Sequence, residues 1–515
     1  MPDKKDAKAA SKPAEAAAKK PAPAQASAKS PAKGASKSDD KQMGITVKKA
    51  DDFSEWFTQV VTKSQIADYS IVSGCMVIRP WGMALWDNIR AACEPKLKKM
   101  GVQHAYFPLF IPESLLKKEA AHVEGFTPEC AWVTHGGNTP LGEKLAVRPT
   151  SEAIMYDSYS KWVRSWRDLP MKMMQWNNVV RWEFKHPTLL MRTREFLWVE
   201  GHTAFATRDE ALQEIKDVMA LWKDVCENTL ALHGIHGQKT EKEKFAGAEA
   251  TESLEFFVPN GRMAQGPDAH SDGQNFAKAY DITFLDKNGE KQHVWQNTWA
   301  ITTRMIGVMV AVHSDDKGLV LPPALAPMKA VIVPILFDDT RKDVLDACTK
   351  LHKELAAFDA HLDDRDEYTP GWKFNEWELK GVPIRIELGP KDLKAGHVVL
   401  VRRDTGEKNM VKLADVKKTV EKTLATMQKE MLAKSKKMTD DAIVDVSSID
   451  DLNKAIKSKK VGRGPFCNVP SCEDHIKDKT DGVSTRGVLI GKKATGNCIQ
   501  CGKPAKVVVH FAKSY

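Results

Sequence analysis

A proline-rich seam, LVLPPALAPMK at 319–329, divides this chain into two kinds of sequence that do not fit one regular architecture. Before it, over 46–325, strand-like runs such as HAYFPLF and KAYDITFL mix with helical stretches such as 207–233. That mixture predicts an α+β unit on a largely antiparallel sheet. Within it, 85–100 carries Leu85, Trp86, Ile89, Cys93, Leu97 and Met100 near helical spacing and ends at Gly101, so it reads as a helix that Pro95 should kink or break. Beyond the seam, β and α elements alternate. AVIVPILF reads as a buried strand, 340–358 as a helix with Val344, Leu345, Cys348, Leu351 and Leu355 on one side, and PIRIEL as another strand. HVVLVRRDTGEKNMVKL reads as two strands joined by a turn at 404–406, with a helix over about 414–434 after it. A compact α/β unit over 326–435 results, and 436–515 forms a third, small unit.

The 515 residues have room for about three domains. No apolar run approaches the roughly 18 to 20 residues of a membrane span, and the N-terminus lacks a signal peptide's apolar region. A cytoplasmic protein without membrane attachment is expected. Of the net charge of +9, residues 1–41 contribute ten Lys against five Asp or Glu, in a segment made mostly of Ala, Lys, Pro and Ser. A tail over 1–45 has too few large apolar residues to offset the entropy of ordering, so it should be disordered. It serves either as a solubilising tail or as a weak attractor of nucleic acid phosphates.

Five of the nine cysteines, Cys75, Cys93, Cys130, Cys226 and Cys348, stand singly in apolar or helical surroundings and read as reduced core residues. The other four form two close pairs, Cys467 with Cys472 and Cys498 with Cys501. Two such pairs about 25 residues apart suit a four-thiolate tetrahedral zinc site, structural because no coordination position stays open. A redox pair is the alternative, disfavoured under reducing conditions.

In VVRWEFKHPTLLMRTREFLWVEGH, 179–202, His186-Pro187 signals a turn between two strand-like runs. Alternation puts Arg181 and Glu183 on one face of the first run and Arg192, Arg194 and Phe196 on one face of the second. Guanidinium groups suit phosphate oxygens, a carboxylate can accept from an adenine amino group, and a phenyl ring can stack on the base. A ladder of cross-strand ion pairs fits the same spacing.

This stretch resembles motif 2 of the class II aminoacyl-tRNA synthetases, and AVRPTSEAIMY, RTREFLWVEGHTAFAT, TEKEKFAGAEAT and WQNTWAITTRMIGVMVAVHSDDKGLVLPP extend the likeness to the prolyl-tRNA synthetases of the eukaryotic and archaeal form. The resemblance runs from about Phe53 to Tyr515. It implies a class II antiparallel-sheet catalytic domain, an α/β anticodon-binding domain and a small zinc-binding C-terminal domain. It implies activation of L-proline with ATP to prolyl-adenylate, then transfer to the 3′-terminal adenosine of tRNA(Pro). By the same resemblance, Thr150, Glu152, Arg181, Trp198, Glu200, His202 and His270 form the proline pocket. Arg181, Glu183, Arg192, Phe196, Gln265, Thr302 and Arg304 bind ATP with Mg²⁺, and Arg181 and Arg304 act on the reacting phosphates. Arg385, Glu387 and Lys391 meet the anticodon, although surface charges at a strand end have the same appearance. GVQHAYFPLF resembles motif 1 and implies a homodimer. The tail is an expected attachment point for a multi-synthetase assembly.

About 90 residues separate Phe205 from Trp295, too few for an editing insertion, so no proofreading in cis is expected. GPDAHSDGQNF, 266–276, sets His270, Ser271 and Asp272 side by side, but neighbours on an extended chain face opposite ways and do not converge as a triad. The family commonly has Gly-Gly-Thr-Ser-His there, so Asp268 replaces Thr and adds a negative charge near the substrates. A paralogue without catalysis should have lost Arg181 or Arg304, and a sister synthetase should have a different pocket.

Overall fold

The computed structural model describes residues 44–120, 129–183 and 187–515. The expected tail therefore lies almost wholly outside the described residues, as do its expected roles in phosphate attraction and assembly, and His186 of the expected turn. Among the described residues no helix is long and apolar enough to cross a membrane.

Of the two largest sheets, one lies wholly after the seam and the other draws strands from both sides of it. Over residues 330–412 a five-stranded sheet carries parallel and antiparallel pairs, and its core includes Ile332, Val344, Cys348, Ile384, Ile386, Val398 and Val420. The larger sheet has eleven strands. Those that matter here are β1 (Met171–Val180), β2 (Glu195–Phe205), β3 (Ile235–Gln238), β4 (Ala250–Val258), β5 (Arg262–Gly273), β6 (Trp295–Thr302), β7 (Val461–Phe466), β8 (Val483–Val488) and β9 (Val507–Ser514). They run in the order β7-β9-β8-β3-β4-β5-β6-β2-β1, so the C-terminal unit continues the edge of the sheet that precedes the seam. Val488 of β8 pairs with Gln238 of β3, and Arg262 and Met263 of β5 pair with Lys513 and Ser514 of β9. From β3 through β1 each strand runs antiparallel to the next in that order, as expected for the catalytic unit.

Helix α1 (Pro80–Lys99) starts before residue 85 and runs through Pro95 without interruption. Its buried face, Leu85, Trp86, Ile89, Cys93 and Leu97, packs on both sides of the proline and outweighs the lost hydrogen bond. Helix α2 (Arg208–Asn228) is stopped cleanly at its start, where Thr207 and Glu210 cap each other, and it lays Ile215, Val218, Trp222 and Val225 on the sheet. The apolar helix α3 (Arg304–His313) follows β6 directly and is buried along its length except at Arg304. The helix expected over 414–434 spans Val416–Ala442, past the expected unit boundary at 435. KAYDITFL divides into the end of a helix, Asn275–Tyr280, and a strand, Thr283–Leu285. Of the five single cysteines, Cys93, Cys226 and Cys348 are buried, whereas Cys75 and Cys130 are half-buried rather than in the core.

Candidate active site

Register builds the site. Residues alternate faces along a strand, so Trp198, Glu200 and His202 of β2, Thr298, Ala300 and Thr302 of β6, and Asp268 and His270 of β5 share one face. Pairing sets them in rows: Thr251, His270, Thr298 and His202 in one, Asp268, Ala300, Glu200 and Gln175 in the next, and Thr302, Trp198 and Asn177 in a third. All three rows contribute to a cavity of about 250 Å³ that Thr150, Glu152, Arg181, Phe196, Gln265 and Arg304 complete. Gly201 opposes Trp299, whose indole occupies the place of a side chain: a Cβ there would lie 2.1 Å from the ring.

One end of the cavity is acidic and closely bonded. Glu200 is 2 % exposed and accepts hydrogen bonds from Asn177 at 2.7 Å, Gln175 at 3.0 Å and Ser151. His202 Nε2 lies 3.1 Å from the other carboxylate oxygen, and its carbonyl accepts from Tyr159 at 2.8 Å. Glu152, also buried, accepts from Thr150. Burial pushes the Glu200 carboxyl up, but the hydrogen bond and charge of His202 and the Ser151 and Asn177 donors outweigh it and hold it below its ordinary value. Burial likewise lowers the His202 imidazole, and the Glu200 hydrogen bond with the charges of Glu152 and Glu200 lifts it above its ordinary value.

These opposite shifts make an ion pair with a defined pH window. The His202 contribution is complete below its ordinary value of 6.5 and is lost as pH rises through the folded pKa; the Glu200 contribution is complete above 4.5 and is lost as pH falls through its folded pKa. Melting temperatures of the wild type and His202→Gln, measured from about pH 5 to about pH 9, are therefore expected to differ most at the acidic end and converge as the imidazole deprotonates. A constant gap would contradict the pairing.

The other end is basic and aromatic. Arg181 Nε donates to the Pro149 carbonyl at 3.0 Å, and its guanidinium lies 5.7 and 5.5 Å from the Phe196 and Trp198 ring centres. Arg304 donates to the Met191 and Gln265 carbonyls at 3.0 and 3.2 Å, which fixes it at the start of α3 beside Thr302. Between the ends, Asp268 accepts from Gln265 Nε2 at 2.8 Å and stands 3.7 Å from His270 Nε2. His270 Nδ1 meets Thr251 Oγ1 at 2.9 Å, and the Phe245 ring stacks on the imidazole at 4.6 Å. Burial pushes the His270 pKa down despite the Asp268 and Glu152 charges.

Every residue expected in the proline pocket thus lines one cavity, as do Phe196, Gln265, Thr302 and Arg304 from the nucleotide set. Glu183 and Arg192 do not line it; both are exposed. The strands end at Val180 and begin at Glu195, so the strand alternation expected to place Arg181, Glu183, Arg192 and Arg194 does not reach them. Arg194 turns outward, donating to the Ser73 carbonyl at 2.9 Å and lying 4.4 Å from the Trp182 ring centre. Thr298, Ala300, Glu243 and Phe245 line the cavity without having been singled out. The first two were legible from the period of two ending at Thr302; Glu243 and Phe245 sit in an irregular segment with no period to read.

Elsewhere, Arg385 spends Nε and NH2 on Glu387 at 3.0 and 2.8 Å and lies over Phe374 at 4.4 Å, whereas Lys391 is exposed beside a different cavity with Phe337. The ligand atoms of Cys467, Cys472, Cys498 and Cys501 all lie within 4.8 Å of one another. Four thiolates on one zinc at about 2.3 Å stand about 3.8 Å apart, so this cluster is compatible with a structural metal site after a contraction of about 1 Å.

Comparison with known proteins gives three family matches: the tRNA synthetase class II core domain (G, H, P, S and T) over 132–313, an anticodon binding domain over 329–423, and the prolyl-tRNA synthetase C-terminal domain over 449–515. A proline--tRNA ligase of Natranaerobius thermophilus is 46% identical, the match covering 91% of this chain and 97% of that protein. The bifunctional glutamate/proline--tRNA ligase of Drosophila melanogaster is 45% identical over 90% of this chain but only 28% of its own length. The crystal structure of a Cryptosporidium parvum prolyl-tRNA synthetase complexed with halofuginone and AMPPNP superposes with a TM-score of 0.87 at 41% identity, covering 92% of this chain and all of that one.

Proposed function

The chain belongs to the prolyl-tRNA synthetase family, and on that premise we propose how its cavity divides the work of activating proline with ATP and transferring it to tRNA(Pro). The observation that carries the division is the polarity of the cavity, acidic and hydrogen-bonded at Glu200 and Glu152, cationic and aromatic at Arg181, Phe196 and Arg304.

Proline's secondary ammonium goes to the acidic end, where Glu152, Thr150 and the Glu200–His202 pair receive it, and Trp198 and His270 enclose the ring. Arg181, at the basic end beside Trp198, serves both substrates: it orients the proline carboxylate and meets the α-phosphate as charge grows there. Phe196 stacks under adenine, Gln265 and Thr302 hold the nucleoside, and Arg304 holds the outer phosphates. Glu183 and Arg192, which are exposed and outside the cavity lining, take the adenine amino group and an outer phosphate of bound ATP. Mg²⁺, which arrives with ATP, neutralises phosphate charge. Since the carboxylate of proline is itself the nucleophile, the protein supplies position and charge and no covalent group. Proline-dependent exchange of pyrophosphate into ATP tests this directly.

Asp268 occupies the ground between the two ends, and its charge opposes the nucleotide phosphates while its bond to Gln265 ties up that side chain. Asp268→Thr is expected to lower the KM for ATP about fivefold, the effect of removing about 1 kcal/mol of like-charge repulsion. An unchanged KM for both substrates would make the aspartate a neutral variant of strand β5.

Arg385, Glu387 and Lys391 read the anticodon from two neighbouring patches of the five-stranded sheet unit. Two chains form a homodimer through the small sheet on which Phe110 and Trp132 stay 43% and 41% exposed, near Tyr106 at 79%. The four-cysteine cluster holds a structural zinc. Metal analysis is expected to give one zinc per chain in the wild type and less than about half of that in Cys498→Ser, because the remaining three thiolates bind far more weakly; equal stoichiometry would contradict the site.

A further inference from the structure

The segment 239–249 between β3 and β4 forms one wall of the cavity through Glu243 and Phe245, yet it contains no regular structure of its own. Its ends are tied to the catalytic unit, the Lys239 N–H donating to the Thr251 carbonyl at 2.8 Å and the Glu249 N–H to the Ser271 carbonyl at 2.7 Å, and between them it is held from the C-terminal unit. Thr240 is 1 % exposed and its hydroxyl donates to Glu473 Oε2 at 2.9 Å. Glu473 is equally buried on helix α4 (Pro470–Lys479), next to Cys472, and its other oxygen accepts from the Thr485 N–H at 2.9 Å and hydroxyl at 2.7 Å. Three donors on one buried carboxylate fix it firmly. The Thr240 carbonyl in turn accepts from the N–H groups of Glu243 and Lys244 at 3.1 and 3.0 Å, which closes the turn carrying Phe245. Phe245 then stacks on His270 and donates its N–H to Thr251, the residue that also meets His270 Nδ1. A second tie, Lys242 to Asp474 of the same helix, lies outside the first.

We infer that Thr240 and Glu473 are positioning residues for the proline site: the C-terminal helix holds the 239–249 wall through them, and the wall holds the ring of His270 where proline must fit. This inference rests on the proposed proline pocket. The coupling acts on proline and spares ATP, because the wall reaches the cavity through Phe245 on His270, whereas Arg304 is held by the Met191 and Gln265 carbonyls and Phe196 lies against Arg181 and Trp198.

Thr240→Val keeps the shape and removes the donor. It is expected to raise the KM for proline about tenfold, the consequence of one lost buried hydrogen bond to a charged acceptor. The KM for ATP and kcat should stay within about twofold, and Thr240→Ser should restore the proline KM. Hydrogen exchange of the 241–249 backbone should accelerate in Thr240→Val and recover in Thr240→Ser. Glu473→Gln, which keeps the volume and one oxygen, supplies the second variant and should move the proline KM in the same direction by about threefold. A lowered melting temperature with an unchanged proline KM in both variants would reduce the contact to a structural one and overturn the inference. Absence of proline-dependent exchange in the wild type would instead remove the pocket reading beneath it.

Discussion

Arg181→Ala is expected to lower proline-dependent ATP–pyrophosphate exchange about 10²- to 10³-fold in kcat/KM, since in the proposed division of the cavity it removes a preorganised cation aimed at charge that develops during the reaction. The side chain is held at one nitrogen by the Pro149 carbonyl and flanked by Phe196 and Trp198, so its geometry is set before substrate arrives. Arg181→Lys should recover little, because an ammonium has neither the planar fork nor the stacking surface. Circular dichroism and melting should change little in either variant, as the guanidinium bridges no buried carboxylate among its hydrogen bonds. A loss below about tenfold would move the main electrostatic work elsewhere, with Arg304 next in line.

Glu255→Ala is expected to have the largest effect on stability, about 3 to 5 kcal/mol, because it leaves two buried cations without their shared carboxylate. Glu255 of β4 is 1 % exposed, binds Lys239 through one oxygen, and accepts from Arg486 Nε and NH2 at 3.2 and 2.9 Å through the other. Burial pushes its carboxyl up, but the Arg486 and Lys239 charges and hydrogen bonds prevail and hold it below its ordinary value. Arg486 belongs to β8, so this triad ties the C-terminal unit to the catalytic sheet across the junction that Thr240 and Glu473 also bridge. Urea unfolding at pH 7 measures the loss; a change under about 1 kcal/mol would mean that water enters and screens the cations.

The parts of the site that follow a strand's period were legible in the sequence. Trp198, Glu200 and His202 alternate in a run whose pairing is fixed by its own neighbours, and Thr302 lies in register opposite Trp198. The limits of those strands were not legible: the strands end at Val180 and begin at Glu195, and Glu183 and Arg192 beyond them take positions that alternation does not set. The four cysteines announced their cluster through spacing, whereas the joining of β8 to β3 and of β9 to β5 depends on partners more than two hundred residues apart and leaves no local pattern. For the same reason the segment TEKEKFAGAEAT carries no local sign that Phe245 is a wall of the cavity, since the residue that anchors its turn is Glu473. Pro95 shows propensity yielding to packing, with a buried apolar face continuing past it on α1.

Amino-acid-dependent exchange of pyrophosphate into ATP tests the acidic and the cationic ends of the cavity in one assay. With the purified full chain, proline is expected to support exchange at least about 100-fold better in kcat/KM than threonine, serine or glycine, if the cavity lined by Glu152, Glu200, His202 and Trp198 receives proline as proposed. Exchange that proceeds equally with another amino acid, or not at all with proline, would contradict that proposal.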